Sequence, residues 1–339
     1  MKQAIMTAPG KIRIHEIEKP QPGPGQVLLQ IRRIGVCGSD LHVFRGKHPY
    51  TGYPVVQGHE FSASVAAIGA GVTGLTLGMK VTATPQIVCG ACGPCLRGDY
   101  HICDHLKVEG FQAPGCAQEY WLADAARIVP LPDSFSYEQG ALVEPVSVAV
   151  HAVGRAAEVD GRNLVVLGAG PIGNLVAQVA QAAGAQVLIT DLSDYRLEVA
   201  RQCGLEHASN AGKETLDAAA HRTFGAAGFE LALECVGVEA TMTAAIENIQ
   251  KGGVIVVVGV FGEKPRIDLG LVQDRELNLK GTLMYQRRDY ERAVELISDG
   301  KIITAPLFSN HFPLDQYLDA YHFIEAQGVK SMKVFIDVA

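Results

Sequence analysis

Four cysteines within fifteen residues, Cys89, Cys92, Cys95 and Cys103, restrict the fold of this chain more than any other stretch. They are half of its eight cysteines, with Gly90, Gly93 and Pro94 between them. Two-residue gaps let neighbouring sulfurs converge, and the glycines permit the tight turns that convergence requires. Four thiolates so spaced match the closed tetrahedral shell of a structural Zn²⁺, which leaves no position for substrate. An iron–sulfur cluster uses similar spacing and stays open as a reading of this stretch alone. Disulfides need an oxidising compartment. The segment after Met1-Lys2-Gln3 reads as a strand rather than an apolar export signal.

Beyond this lobe, 339 residues leave room for about two domains of roughly 150 residues each. The net charge of −7 comes with no basic stripe, which argues against a nucleic-acid partner. No apolar run approaches the roughly 20 residues that span a bilayer. A cytoplasmic protein acting on a small molecule, with no membrane or nucleic-acid partner, is the expectation.

The first part of the chain reads as β-rich and barrel-like or sandwich-like. Short strand patterns at 3–6, 11–16 and 27–34 are separated by the turn-forming run Pro20-Gln21-Pro22-Gly23-Pro24-Gly25. The last strand runs into Gly35-Val36-Cys37-Gly38-Ser39-Asp40-Leu41-His42, and Gly58-His59-Glu60 and Leu142-Val143-Glu144-Pro145 follow. Cys, His and carboxylate together are the repertoire of a catalytic zinc, with three protein ligands and one open position. Singly, each is more ordinary: Cys37 as a small buried hydrophobe, His59 or Glu144 as a satisfied polar group. Neighbours on a strand face opposite ways, so His59 and Glu60 reach one ion only if the backbone turns at Gly58. Glu144 therefore competes for the third position, and Pro145 predicts an extended backbone that projects it. Cys116, Cys203 and Cys235 stand alone and read as structural.

The second part has the pattern of a dinucleotide fold. The apolar strand Asn163-Leu164-Val165-Val166-Leu167 ends in Gly168-Ala169-Gly170-Pro171-Ile172-Gly173. A helical pattern follows, with Ile172, Leu175, Val176 and Val179 on one face. A second strand, 186–190, then carries Asp191 at its tip. Strand, glycine loop, helix, strand and acid in this order bind a dinucleotide, with its pyrophosphate on the helix N-terminus. Asp191 favours ribose hydroxyls and repels a 2′-phosphate, so NAD is expected; Arg196 is the one nearby cation that speaks for a 2′-phosphate, although it could equally lie along the adenine. Further strands fall at 229–235, 253–260 and 277–281, with an amphipathic helix over 289–298. The pattern returns to β at 307–314 and 333–338. The predicted division is a zinc-binding catalytic domain over 1–150 and 300–339, and a Rossmann domain over 151–299.

These motifs, in this order over nearly the whole chain, resemble the zinc-dependent medium-chain dehydrogenases. The run Leu142-Val143-Glu144-Pro145-Val146-Ser147-Val148-Ala149-Val150-His151 is most similar to their polyol branch. The resemblance implies an α/β chain, with a GroES-like catalytic domain and a doubly wound Rossmann domain. It implies two zincs per subunit. One is structural, on Cys89, Cys92, Cys95 and Cys103. The other is catalytic, on Cys37 and His59 with Glu60 or Glu144. Ser39 and His42 are implied to relay the alcohol proton. Gly168, Gly170, Pro171, Ile172, Gly173, Asp191 and Arg196, and then Val258, Gly259, Val260, Leu283 and Met284, are implied to bind NAD.

The implied reaction is hydride transfer from a secondary alcohol of a polyol, sugar or sugar acid to NAD⁺, by a homodimer or homotetramer. In such enzymes the zinc acts as a Lewis acid and the nicotinamide accepts the hydride. One departure is notable: many polyol dehydrogenases place an arginine just after the last Rossmann strand, where this chain has Thr282-Leu283-Met284-Tyr285-Gln286 before Arg287 and Arg288. A 2,3-butanediol- or L-threonine-type dehydrogenase is the alternative, and a non-catalytic Rossmann ligand sensor a remote one. Tyr50, Phe111 and Trp121 are candidates to line the substrate pocket.

Overall fold

Four consecutive buried residues, Leu164 to Leu167, make the strand Asn163–Leu167 apolar on both faces. Such a strand must be covered on both sides, as in a parallel sheet flanked by helices. In the computed structural model, which describes all residues Met1–Ala339, this strand pairs in parallel with Gln186–Asp191 and Leu231–Glu234. Numbered along the chain, the six parallel strands run 3-2-1-4-5-6 across the sheet, from His207–Asn210 to Asn278–Gly281. That is the doubly wound order whose crevice lies at the strand C-termini.

The chain divides into two units. The first takes in residues 1–144, 286–294 and 308–339, and the second takes in 145–285 and 295–307. The first is built on a largely antiparallel seven-stranded sheet. Its long strand Gln26–Gly35 pairs with Glu60–Ile68, Tyr120–Asp124 and Lys333–Asp337. Phe335 is opposite Gly35, so a strand from the end of the chain lies beside the Cys37 segment. The core of this unit includes Val27, Leu29, Ile31, Ile34, Phe61 and Ala63, all fully buried or nearly so, with Tyr317 and Tyr321 from the helix Tyr317–Gln327.

Pro145 corrects one expectation. It lies inside the helix Tyr137–Arg155, so Glu144 is helical and not extended. An internal proline costs a helix roughly 3 kcal/mol, from a lost hydrogen bond and a clash one turn back. Burial offsets this, because Ala141, Leu142, Val143, Val146, Ser147 and Ala149 are all within 1% of complete burial. Tertiary packing overrides the local preference. No helix is long and apolar enough to cross a membrane.

Candidate metal centres and cofactor site

The four lobe cysteines converge: their sulfurs all lie within 4.8 Å of one another. Cys103 Sγ is 3.5 Å from Cys89 Sγ and 3.7 Å from Cys92 Sγ. A tetrahedron with ~2.3 Å Zn–S bonds has edges of about 3.8 Å, so the donor set fits that ion. Backbone N–H groups of Ala91 and Cys92 point at Cys89 Sγ and lower its thiol to about 6. The lobe is fastened to the helix Arg287–Ser298. Gln286 Nε2 donates to Gly98 O and bonds His101 Nδ1, each at 3.0 Å, and Arg287 N donates to Tyr100 Oη at 2.7 Å. The Arg287 guanidinium is engaged on Ala126 O and Glu291.

A second donor set forms where the chain leaves and re-enters the first unit's sheet. Cys37 follows the strand Gln26–Gly35 and caps the helix Gly38–Phe44, whose third residue, Asp40, accepts the Cys37 N–H at 3.0 Å. Ser39 and His42, three apart on this helix, share a face and are half-buried. His59 precedes the strand Glu60–Ile68, and the chain turns before it at Gly58, with φ +92°. A Cβ at Gly58 would lie 3.0 Å from Cys116 Sγ and 3.2 Å from Ala117 N, so glycine is needed for space as well as for the turn. The turn brings donor atoms of Cys37, His59 and Glu60 within 4.8 Å of one another.

Glu144 is buried nearby but lies outside this trio, although its charge acts on both His59 and Lys333. Burial lowers His59, but Asp40 and the Cys37 sulfur outweigh it and hold the imidazole well above its usual range. Burial, reinforced by Glu60, raises the Cys37 thiol. Both groups thus hold their protons firmly when no metal is present, and a cation binding there takes the place of both, on the thiol and on the imidazole.

Phe111 packs against His59 and His48 with ring centroids 4.9 Å apart in each case, beside the trio. Trp121 lies in the core against Phe61, whereas Tyr50, although exposed, meets His48 edge-on with centroids 6.2 Å apart, on the ring that Phe111 stacks against.

In the second unit the glycine loop closes on itself. Gly168 has φ +101°, and a Cβ on Gly173 would lie 1.9 Å from Gly168 O, so only glycine lets helix and strand approach this closely. Gly170 caps the helix Pro171–Ala182, with Pro171 at its first position and Ile172 half-buried behind it. A dinucleotide's pyrophosphate fits this cradle. Asp191 is tied to the loop: one oxygen accepts Ala169 N–H at 2.7 Å and the other Ser193 N–H at 2.8 Å. Arg196 Nη1 is 3.8 Å from Asp191 and beside Gly170.

At the C-terminal ends of the later strands, Val236, Val238, Val260 and Leu283 expose apolar side chains. Val258 N and Gly259 N both bond Glu234 O at 2.8 Å. Met284 has φ +52°, strained for a side chain of that size. Sequence reasoning missed Glu234. Its fully buried carboxylate accepts from Val236 N, Gly237 N and Thr241 Oγ1, holding the loop that carries the valines. The available signal was an acid ending an otherwise apolar strand.

A family model of zinc-binding dehydrogenases matches residues 171–299, and one of the alcohol dehydrogenase GroES-like domain matches residues 23–133. The 2-dehydro-3-deoxy-L-galactonate 5-dehydrogenase of Pseudoalteromonas atlantica is 37% identical over 92% of each chain. The chain belongs to the zinc-dependent medium-chain dehydrogenases. Within this family it falls in the polyol branch, with the sorbitol dehydrogenase of Halalkalibacterium halodurans 32% identical over 99% of this chain and 100% of that one. The L-threonine 3-dehydrogenase of Rhizobium johnstonii is equally similar, 32% identical over 99% of each. Membership makes the chain an alcohol dehydrogenase and agrees with both donor sets: a closed cysteine shell, and a mixed shell open to a further ligand.

Proposed function

We propose that this dehydrogenase oxidises a secondary alcohol of a sugar acid or polyol, with NAD⁺ as acceptor. The observation that carries the reading is the convergence of Cys37, His59 and Glu60 on one point in a mixed donor set. A zinc held there supplies Lewis-acid polarisation of the substrate oxygen, and NAD supplies the hydride acceptor. The chain itself supplies position and charge. Cys37, His59 and Glu60 hold the metal, and Cys89, Cys92, Cys95 and Cys103 hold a second one that fixes the lobe. Ser39 and His42, on one helix face, pass the alcohol proton outward. Glu144 contributes negative charge beside the trio.

In the second unit Gly168, Gly170, Pro171, Ile172 and Gly173 cradle the pyrophosphate, while Asp191 receives the ribose hydroxyls and Arg196 lies along the adenine. Val258, Gly259, Val260, Leu283 and Met284 shape the nicotinamide face. Asp191 supports NAD over NADP, because a 2′-phosphate would meet its carboxylate. A sugar acid is favoured by the relative at 37% identity. An amino alcohol is the second reading, favoured by the relative that acts on L-threonine. A cytoplasmic homodimer or homotetramer completes the reading, assembled through the edge strand Asn278–Gly281.

Elemental analysis tests the metal assignment. Two zincs per chain are expected in the wild type, and one each in Cys37→Ala and Cys103→Ser. Two zincs retained in Cys37→Ala would refute the catalytic site.

A further inference from the structure

Behind the candidate catalytic centre lies a buried polar chain that the chemistry above does not use. Asp40 is 1% exposed. One carboxylate oxygen accepts the Cys37 N–H at 3.0 Å, and the other faces His59 Nδ1 at 3.7 Å. That nitrogen is buried with no hydrogen-bond partner. Gln57 Nε2 lies 3.3 Å from the same Asp40 oxygen and 3.3 Å from the Asp40 carbonyl. Gln57 Oε1 in turn accepts the Tyr321 hydroxyl at 2.8 Å. Gln57 and Tyr321 are both buried, Tyr321 completely, and the two are 264 residues apart in sequence.

The direction of this chain follows from its chemistry. An ionised carboxylate only accepts, so the amide must turn its NH₂ to Asp40 and its oxygen to Tyr321. Tyr321 therefore donates and fixes the amide, and the amide fixes Asp40. A fixed Asp40 keeps a carboxylate oxygen 3.7 Å from His59 Nδ1, longer than a hydrogen bond but close enough for its charge to favour the proton on that nitrogen and leave the other ring nitrogen to a metal. Without those donors the buried carboxylate would have to turn elsewhere or lose its charge.

We propose that Gln57 and Tyr321 are positioning residues for the catalytic metal: they aim Asp40 at His59, and thereby set how tightly the Cys37–His59–Glu60 site holds its ion. The proposal rests on the metal-centre reading above. It differs from a packing role, because Tyr321 also stacks on Tyr317 and meets Phe44, and Tyr321→Phe keeps those ring contacts while removing only the hydroxyl.

The test uses the full-length, zinc-loaded protein and follows zinc release to a coloured chelator. Cys37→Ala identifies which released metal belongs to the Cys37 site. The four-cysteine site of the same molecule is the internal control. Release from the Cys37 site is expected to quicken about 3–10-fold in Tyr321→Phe and about 10–100-fold in Gln57→Leu, the range of lost outer-shell partners. Release from the four-cysteine site should not change. Wild-type release from the Cys37 site in Tyr321→Phe overturns the proposal, as does parallel acceleration at both sites, which marks general loosening. If Cys37→Ala releases as much zinc as the wild type, the metal-centre reading itself fails, and the proposal with it.

Discussion

Lys333 Nζ lies 2.6 Å from Glu60 Oε2, and both side chains are almost wholly buried. The ammonium also reaches Val36 O at 3.4 Å. Burial alone would lower the lysine, yet Glu60 and the Cys37 sulfur outweigh it and raise the ammonium above its usual range. The strand Lys333–Asp337 delivers this cation from the far end of the chain, directly beside a candidate ligand. Lys333 thus balances charge at the centre when no metal is present.

Removing it should expose that role. In Lys333→Met, Glu60 remains as a buried carboxylate without its partner, a defect that typically costs 3–5 kcal/mol. A bound metal replaces part of the missing positive charge. Thermal unfolding should therefore show a larger loss in the metal-free protein than in the zinc-loaded one. Equal losses in both forms would mean that Glu60 does not face the metal.

Gly173→Ala tests the closeness of helix and strand in the nucleotide loop. Its Cβ would fall 1.9 Å from Gly168 O, a backbone atom that cannot swing aside. Overpacking of this kind costs typically 1–3 kcal/mol. The denaturation midpoint should fall accordingly, and NAD affinity should fall with it. Gly262→Ala, which meets nothing within 4 Å, is the control and should change neither.

Asp191→Ala should reduce discrimination between the two nicotinamide cofactors. The carboxylate is set rigidly by Ala169 N and Ser193 N, and Arg196 lies beside it. On the proposed reading its loss removes the ribose hydrogen bonds and the repulsion of a 2′-phosphate together. The ratio of kcat/KM for NAD to that for NADP should fall at least about tenfold, or about 1.4 kcal/mol. An unchanged ratio would place cofactor choice elsewhere.

The acid limb of stability should depend on Glu214. Two bonds from Arg222 and one from Ser209 hold its carboxyl at about 2, against a usual 4.5. The folded state therefore binds this proton more weakly than the unfolded chain. The stabilisation is present in full above about pH 4.5 and is lost as the pH falls towards 2. The pair is partly exposed, so solvent screening limits its worth to about 0.2–1 kcal/mol. Glu214→Gln should remove that much of the pH dependence of the unfolding free energy within this window, read from urea denaturation, and leave the dependence elsewhere unchanged.

What the sequence made legible was local. The cysteine lobe and the glycine loop announce themselves because their donors and turns lie within a few residues of one another. The trio of Cys37, His59 and Glu60 was legible as residue types, but its geometry needed the turn at Gly58. Lys333 and Tyr321 were not legible, because they reach Glu60 and Gln57 only through a sheet and a helix some 270 residues further on. Pro145 misled for the opposite reason: a strong local preference yielded to burial along both halves of its helix.

The most direct test of the central claim is NADH formation at 340 nm, with the zinc-loaded protein against sugar acids, polyols, diols and amino alcohols, and with NADP in parallel. NAD-linked turnover on a secondary alcohol of one sugar-acid or polyol class is expected, abolished in Cys37→Ala. Turnover confined to amino alcohols would replace the substrate reading with the threonine-type one. No turnover on any alcohol, together with no binding of NAD, would show that the protein is not an NAD-dependent alcohol dehydrogenase.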